Sequence, residues 1–200
     1  MKENLLKNLW ISIWMTVATT VLLGLVYPLV VTALAQVMFP RKANGQLISK
    51  DGVVVGSSII GQGFSSPGYF HSRPSAAGNG WDAANSNGSN LGPTNRKLID
   101  RVQGDVTTLE SDNPGVPVPI DLVTTSASGF DPHITPAGAE FQLQRVAKAR
   151  GLTIDQLRLL VARHTDGRQW GFLGEPRVNV LELNLDLDHE FPMNKQASIR

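Results

Sequence analysis

From Leu9 to Phe39 the chain carries no Asp, Glu, Lys or Arg, and about 160 residues of ordinary soluble composition follow. About 20 apolar residues already cross a hydrocarbon core of about 30 Å, so this run reads as a membrane span. As one helix it would reach about 46 Å, so it must tilt, protrude or break near Gly24 and Pro28, and Pro28 is the residue that kinks helices. A cleaved signal peptide is the competing reading, since Ala33-Leu34-Ala35 satisfies the small-x-small rule. The apolar stretch nevertheless exceeds the usual h-region and continues past that point through Val37, Met38 and Phe39, before Arg41-Lys42 stop it. The chain therefore divides into an N-terminal tail at 1–8, a transmembrane helix at 9–39 and a soluble domain at 40–200. Lys2 and Lys7 lie on one side, Arg41, Lys42 and Lys50 on the other, and that balance does not fix the orientation.

Within the span, Ser12, Thr16, Thr20 and Gly24 recur every four residues, and Thr32 and Gln36 continue the series beyond Pro28. Small and hydroxylated residues let helices approach closely, so this face is a candidate contact with a partner helix, although such residues are common in membrane helices.

The chain has 18 basic and 17 acidic residues, and the first 40 positions hold only Lys2, Lys7 and Glu3 of these. The soluble part is thus formally neutral and lacks the basic excess with which nucleic-acid binders displace counterions, so nucleic acid is not an expected partner. The absence of cysteine removes disulfides, thiolate metal sites and cysteine nucleophiles together.

Along the soluble part, Gln46-Leu47-Ile48 and Val53-Val54-Val55 flank Lys50-Asp51-Gly52 and predict a β-hairpin. Phe64, Tyr69 and Phe70 are expected to seat the next loop on the core. From Ser72 to Asn95 the chain is rich in Ser, Asn, Gly, Pro and Ala, with Trp81 and Leu91 as its only large apolar residues. It reads as a long, ordered, irregular segment and a binding surface, with Arg73, Trp81, Asn90 and Asn95 as candidate partner contacts. Leu98, Val102, Val106 and Leu109 predict a helix over 96–110, ended by Pro114, Pro117 and Pro119. Thr135-Pro136 opens a second helix that stops at Gly151, and Thr153 with Gln156 forms a capping box for a third. The tail is ambiguous: Leu181, Leu183, Leu185 and Leu187 alternate as in a strand, whereas Asn179 with Glu182 would cap a helix. The expected fold class is α+β, one N-terminal transmembrane helix followed by a single mixed α/β soluble domain.

No catalytic constellation is visible. There is no P-loop, no nucleophile elbow around Ser126-Ala127-Ser128-Gly129 and no short spacing among His71, His133, His164 and His189 that would build a metal site, so no catalytic residue and no metal ligand is named. A membrane-anchored periplasmic enzyme remains the rival reading from another class.

Five blocks stand out together: GSSIIGQ at 56–62, YFHSRPSA at 69–76, SNLGPTN at 89–95, SASGFDPHI at 126–134 and EPRVNVL at 175–181. In this order, behind one membrane helix, they resemble the C subunits of Kdp potassium-transporting ATPases. The resemblance implies a non-catalytic accessory subunit of a bacterial inner-membrane complex that uses ATP to import potassium, with a channel-like A subunit, a P-type ATPase B subunit and a small F subunit as partners. Two roles follow from it. In one, the chain is a catalytic chaperone that raises the ATP affinity of the B subunit; Gln142 then stands at the position resembling the family's nucleotide-linked glutamine, with Gln144 where a proline is usual. In the other, the soluble domain is periplasmic and supports assembly or potassium entry. Direct contact with cytoplasmic ATP and a periplasmic domain exclude each other, and a neutral, Asn- and Ser-rich surface suits protein docking better than a nucleotide, so no bound cofactor is expected on the second reading.

Overall fold

The computed structural model describes residues 2–193, which fall into two compact units meeting between Leu47 and Ile48. In the first unit, α1 (Lys2–Thr19) passes into a π-helical stretch (Thr20–Val26) and then α2 (Tyr27–Met38). Pro28 has no N–H and its ring crowds the preceding turn; the helix answers by widening, and Tyr27 N–H reaches back to Leu22 O, five residues earlier. The helical segment Asn4–Met38 is long and apolar enough to span a bilayer, and none of its apolar window is buried within the chain. Phe39 leaves helical geometry, Pro40 opens the short α3 (Pro40–Ala43), and the amides of Gln36 and Asn44 bond each other in both directions at 3.1 and 3.2 Å.

The second unit opens with a hairpin of β1 (Leu47–Lys50) and β2 (Val53–Ser57). Asp51 and Gly52 both take positive φ, the two-residue turn that matches strand twist. No helix or strand forms from Ser58 to Asn95. There follow α4 (Arg96–Asp112), a 3-10 turn (Ile120–Leu122), β3 (His133–Ile134), α5 (Pro136–Arg150), α6 (Ile154–Arg163), β4 (Thr165–Asp166), β5 (Arg177–Asn179) and α7 (Val180–Glu190).

Helix starts follow side-chain chemistry. Asn95 Oδ1 accepts from Lys97 N–H, Thr135 Oγ1 from Gly138 N–H, and Thr153 exchanges bonds with Gln156 in a complete capping box. Asn179 Oδ1 accepts from Glu182 N–H at 3.1 Å, so the ambiguous tail is a helix. Its buried residues are Val180, Leu181, Leu183, Asn184 and Leu187, which follow the helical period and not the two-residue alternation of the leucines, since Leu185 is left out and Asn184 is included.

β5 is the centre of a small antiparallel sheet, with β3 and β4 on either side; Val178 is opposite both Ile134 and Thr165. The core joins this sheet to α5, α6 and α7 through Ile134, Phe141, Leu143, Val146, Leu157, Leu160, Val178, Leu183 and Leu187, with Phe70 inserted from the irregular segment. Each such side chain contributes about 1.5–3 kcal/mol through burial. Between β4 and β5 a narrow arm closes with mutual backbone bonds of 2.9 Å between Gln169 and Leu173.

Candidate functional site

Two buried amides hold the irregular segment in place. Gln142, on α5, accepts from His71 N–H at 2.7 Å and donates to His71 O at 3.1 Å; Asn184, on α7, makes the same pair of bonds to Phe70, both at 2.9 Å. Successive residues of an extended chain present their backbone groups to opposite sides, so the two helices act as the missing neighbouring strands. Gln142 also donates to Gly138 O and accepts from Arg145 at 2.7 Å, which employs both hydrogens and both lone pairs of its amide.

Two arginines brace the same stretch. Arg145 donates to Pro67 O and Tyr69 O. Arg150, whose side chain is 1% exposed, donates to Gly68 O, Phe191 O and Asp188 Oδ1, and lies 4.8 Å above the Tyr69 ring. Tyr69 in turn donates to Asp188 Oδ2 at 2.8 Å; burial and then that carboxylate push its hydroxyl pKa upward. His71 is pulled the other way: burial, and then the Arg145 charge, lower its pKa, so it is neutral at pH 7 and its Nε2 donates to Ser66 O at 3.1 Å. A cleft of about 290 Å³ opens beside His71, Gln142 and Arg145, with Phe64 and Trp81 in its wall.

Arg73 lies inside this construction. Its guanidinium pairs with Asp131 at 2.8 Å and reaches Thr124 O and Thr125 O, tying the segment to residues 124–131. Burial works to raise the Asp131 carboxyl, but bonds from His133 and Arg73 outweigh it and hold its pKa below the usual range. Trp81, half-buried with φ +50°, covers Gly63 so closely that a Cβ there would stand 2.7 Å from its ring. The Trp81 backbone N–H donates to Ser75 Oγ, which donates to Gly129 O. Asn90 is exposed and its side chain donates to Asn87 Oδ1 at 2.9 Å, while Asn95 is the exposed cap of α4.

The sequence blocks meet in space. Gly61 N–H donates to Phe130 O, and a Cβ on Gly61 would come within 2.6 Å of Asp131 O. Asn179 donates to Ser58 O at 2.7 Å and Val180 N–H to Pro132 O at 2.9 Å. Four of the five blocks, around residues 56–62, 69–76, 126–134 and 175–181, therefore form one knot, and the fifth leads from it to the cap of α4.

In the membrane helix, Ser12 Oγ donates to Leu9 O and Thr16 Oγ1 to Ser12 O, both at 2.8 Å. Those hydroxyls are satisfied within their own helix, leaving small, exposed positions at Ser12, Thr16, Thr20 and Gly24. Among the described residues no group of three or more His, Asp or Glu is placed to hold a metal ion. Sequence reasoning missed Asn184, Arg145, Arg150 and Asp188, because isolated polar residues in amphipathic helices look like solvent-facing ones until the packing is known.

An N-terminal helix long and apolar enough to cross a bilayer, followed by a mixed helical and sheet domain built on these blocks, is the architecture of a membrane-associated subunit. The chain belongs to the family described as K+-transporting ATPase, c chain, or KdpC, whose model matches residues 9–189. Similar proteins carry the name potassium-transporting ATPase KdpC subunit. That of Koribacter versatilis is 68% identical over 187 residues, covering 94% of this chain and 97% of the relative. Those of Rhodopseudomonas palustris and Acidobacterium capsulatum are each 55% identical, each covering 92% of this chain and 98% of the relative. Family membership makes this chain a subunit of a potassium-transporting ATPase.

Proposed function

We propose that the chain is a non-catalytic accessory subunit of ATP-driven potassium import in the bacterial inner membrane, with its soluble domain in the periplasm. There it supports assembly of the channel-like A subunit, the ATP-hydrolysing B subunit and the small F subunit. The observation that carries this reading is Gln142: every hydrogen-bonding position of its amide is engaged inside the domain, so it holds the fold and has none left for a nucleotide. In this reading the membrane helix packs on its partners through Ser12, Thr16, Thr20 and Gly24. The surface of the irregular segment docks through Trp81, Asn90 and Asn95, with Arg73 holding that surface in shape.

The chain has no cysteine, so one can be placed at will. Ala83→Cys, at an exposed position, is expected to react with a membrane-impermeant thiol reagent in intact cells. Protection that disappears on lysis would put the domain in the cytoplasm and favour the reading in which the chain raises the ATP affinity of the B subunit. Arg73→Ala and Asn95→Ala are expected to lower co-purification with the other subunits or raise the potassium required for growth; wild-type behaviour of both would remove the docking assignment.

A further inference from the structure

The arm between β4 and β5 presents the most concentrated apolar tip of the soluble unit among the described residues. Trp170 is 84% exposed, Phe172 67% and Leu173 43%, within four positions, and the two rings lie 6.5 Å apart. Other exposed large apolar residues of this unit are single, as Ile120 and Leu159 are, or are aliphatic pairs along the first hairpin and just after it, Val53 with Val54 and Ile59 with Ile60; the arm alone among the described residues of this unit adds two exposed aromatic rings. Isolated ones are ordinary on a protein surface; a cluster at the end of a protrusion marks an interaction site.

Its backbone is built for presentation. Trp170 and Gly171 both have positive φ, at +52° and +83°, and a bulky residue in that region is strained. The Gln169–Leu173 bridge holds the tip closed, and the base runs directly into β5, whose Val178 and Asn179 are buried. The aromatic pair is thus fixed to the core and turned away from it.

The charges at the stem decide what it meets. Arg168 gives two bonds to the Glu175 carboxylate, at 2.7 and 2.8 Å, and Arg177 faces Asp166 at 3.6 Å. Each cation has its own carboxylate, so the stem offers no surplus positive charge to lipid phosphates, the usual companion of an aromatic membrane anchor. A neutral stem under an aromatic tip fits an apolar pocket on a protein, where buried Trp is the most favoured anchor.

We propose that residues 167–174 form a plug that seats Trp170 and Phe172 in an uncharged, apolar crevice on another subunit of the same transporter. This rests on the reading of the chain as an accessory subunit. The experiment uses the whole transporter in native membranes, with the photo-crosslinker p-benzoylphenylalanine in place of Trp170, and in parallel the double variant Trp170→Ser/Phe172→Ser. A cross-link to another transporter subunit is expected, together with a loss of about tenfold or more in co-purification of the double variant. Leu159→Ser, an equally exposed apolar change on α6, serves as the control and is expected to co-purify normally. A cross-link to lipid or to a second copy of this chain, or wild-type co-purification of the double variant, would overturn the proposal. Failure of the unmodified chain to co-purify with any other subunit would instead remove the accessory-subunit reading, and the plug with it.

Discussion

Asn184 and Phe70, 114 positions apart, close a two-bond ring: Oδ1 accepts from Phe70 N–H and Nδ2 donates to Phe70 O. Both residues are essentially inaccessible to water, so no solvent can take the place of either bond. Asn184→Ala strands a buried donor and a buried acceptor, and is expected to cost about 2–4 kcal/mol. In a chain of this size that lowers the thermal midpoint of the detergent-solubilised protein by about 5–15 °C. Asn184→Asp keeps the acceptor but sets a carboxylate against Phe70 O, so its loss should be smaller at pH 4 than at pH 7. A midpoint within 2 °C of wild type, as a roughly set threshold for Asn184→Ala, would show that the ring contributes little.

Gln142 separates a structural from a nucleotide-linked role. Gln142→Glu retains an acceptor for His71 N–H and Arg145 but loses the donor to His71 O and Gly138 O. The expected outcome is a chain destabilised by about 1–3 kcal/mol and a transporter whose assembly falls in proportion. The apparent KM for ATP of whatever complex forms should be unchanged. A stable variant with an altered KM for ATP would reverse the assignment.

Acid should loosen the domain first at His71. Its folded pKa lies below the ordinary 6.5, chiefly because of burial and then because of Arg145, so the unfolded chain binds the proton more readily. The stability this histidine provides is fully present above its unfolded pKa and is lost as pH falls through the folded value. Asp131, also held low, gives up its contribution only at more acid pH, below the carboxylate range. Melting curves between pH 7.5 and 5 should show a decline in wild type that is flatter in His71→Asn; parallel curves would remove His71 from the account.

Pro28 should control how the two halves of the membrane helix face their neighbours. Pro28→Ala restores the missing donor and lets residues 20–26 return to regular α spacing, which turns one half against the other by about 100°, one residue's worth. Cross-links from Thr16→Cys to other transporter subunits should move to different positions while membrane insertion is unaffected. An identical pattern would show that the wide turn does not depend on the proline.

Legibility in the sequence followed the range of the forces involved. α5 and α6 could be read nearly to the residue because Thr135-Pro136, Gly151 and the Thr153–Gln156 box act within one turn. The first hairpin was legible for the same reason, through Asp51-Gly52. α7 was ambiguous because its leucines alternate, although the cap at Asn179 was visible; packing against α6 and the sheet decided it. β3, β4 and β5 are two or three residues long and pair across long separations, too short for any periodicity to register. The irregular segment was recognisable as ordered by its Trp and Asn content, but not how it is held, since Gln142 and Asn184 match exposed polar residues in every local respect. The exposure of Trp170 and Phe172 has no signal in the sequence, because large aromatics usually point inward.

The grip of α5 and α7 on residues 70 and 71 also sets an order of events. A ribosome delivers Phe70 long before Asn184, and the intervening residues must emerge before the ring can close. While the N-terminal helix is already in the lipid, the first part of the domain is a chain without its fasteners. The last of the described helices to be synthesised is the one that locks Phe70, so a stop codon anywhere from residue 151 to residue 183 would leave a domain held by α5 alone, with the other side of its loop open.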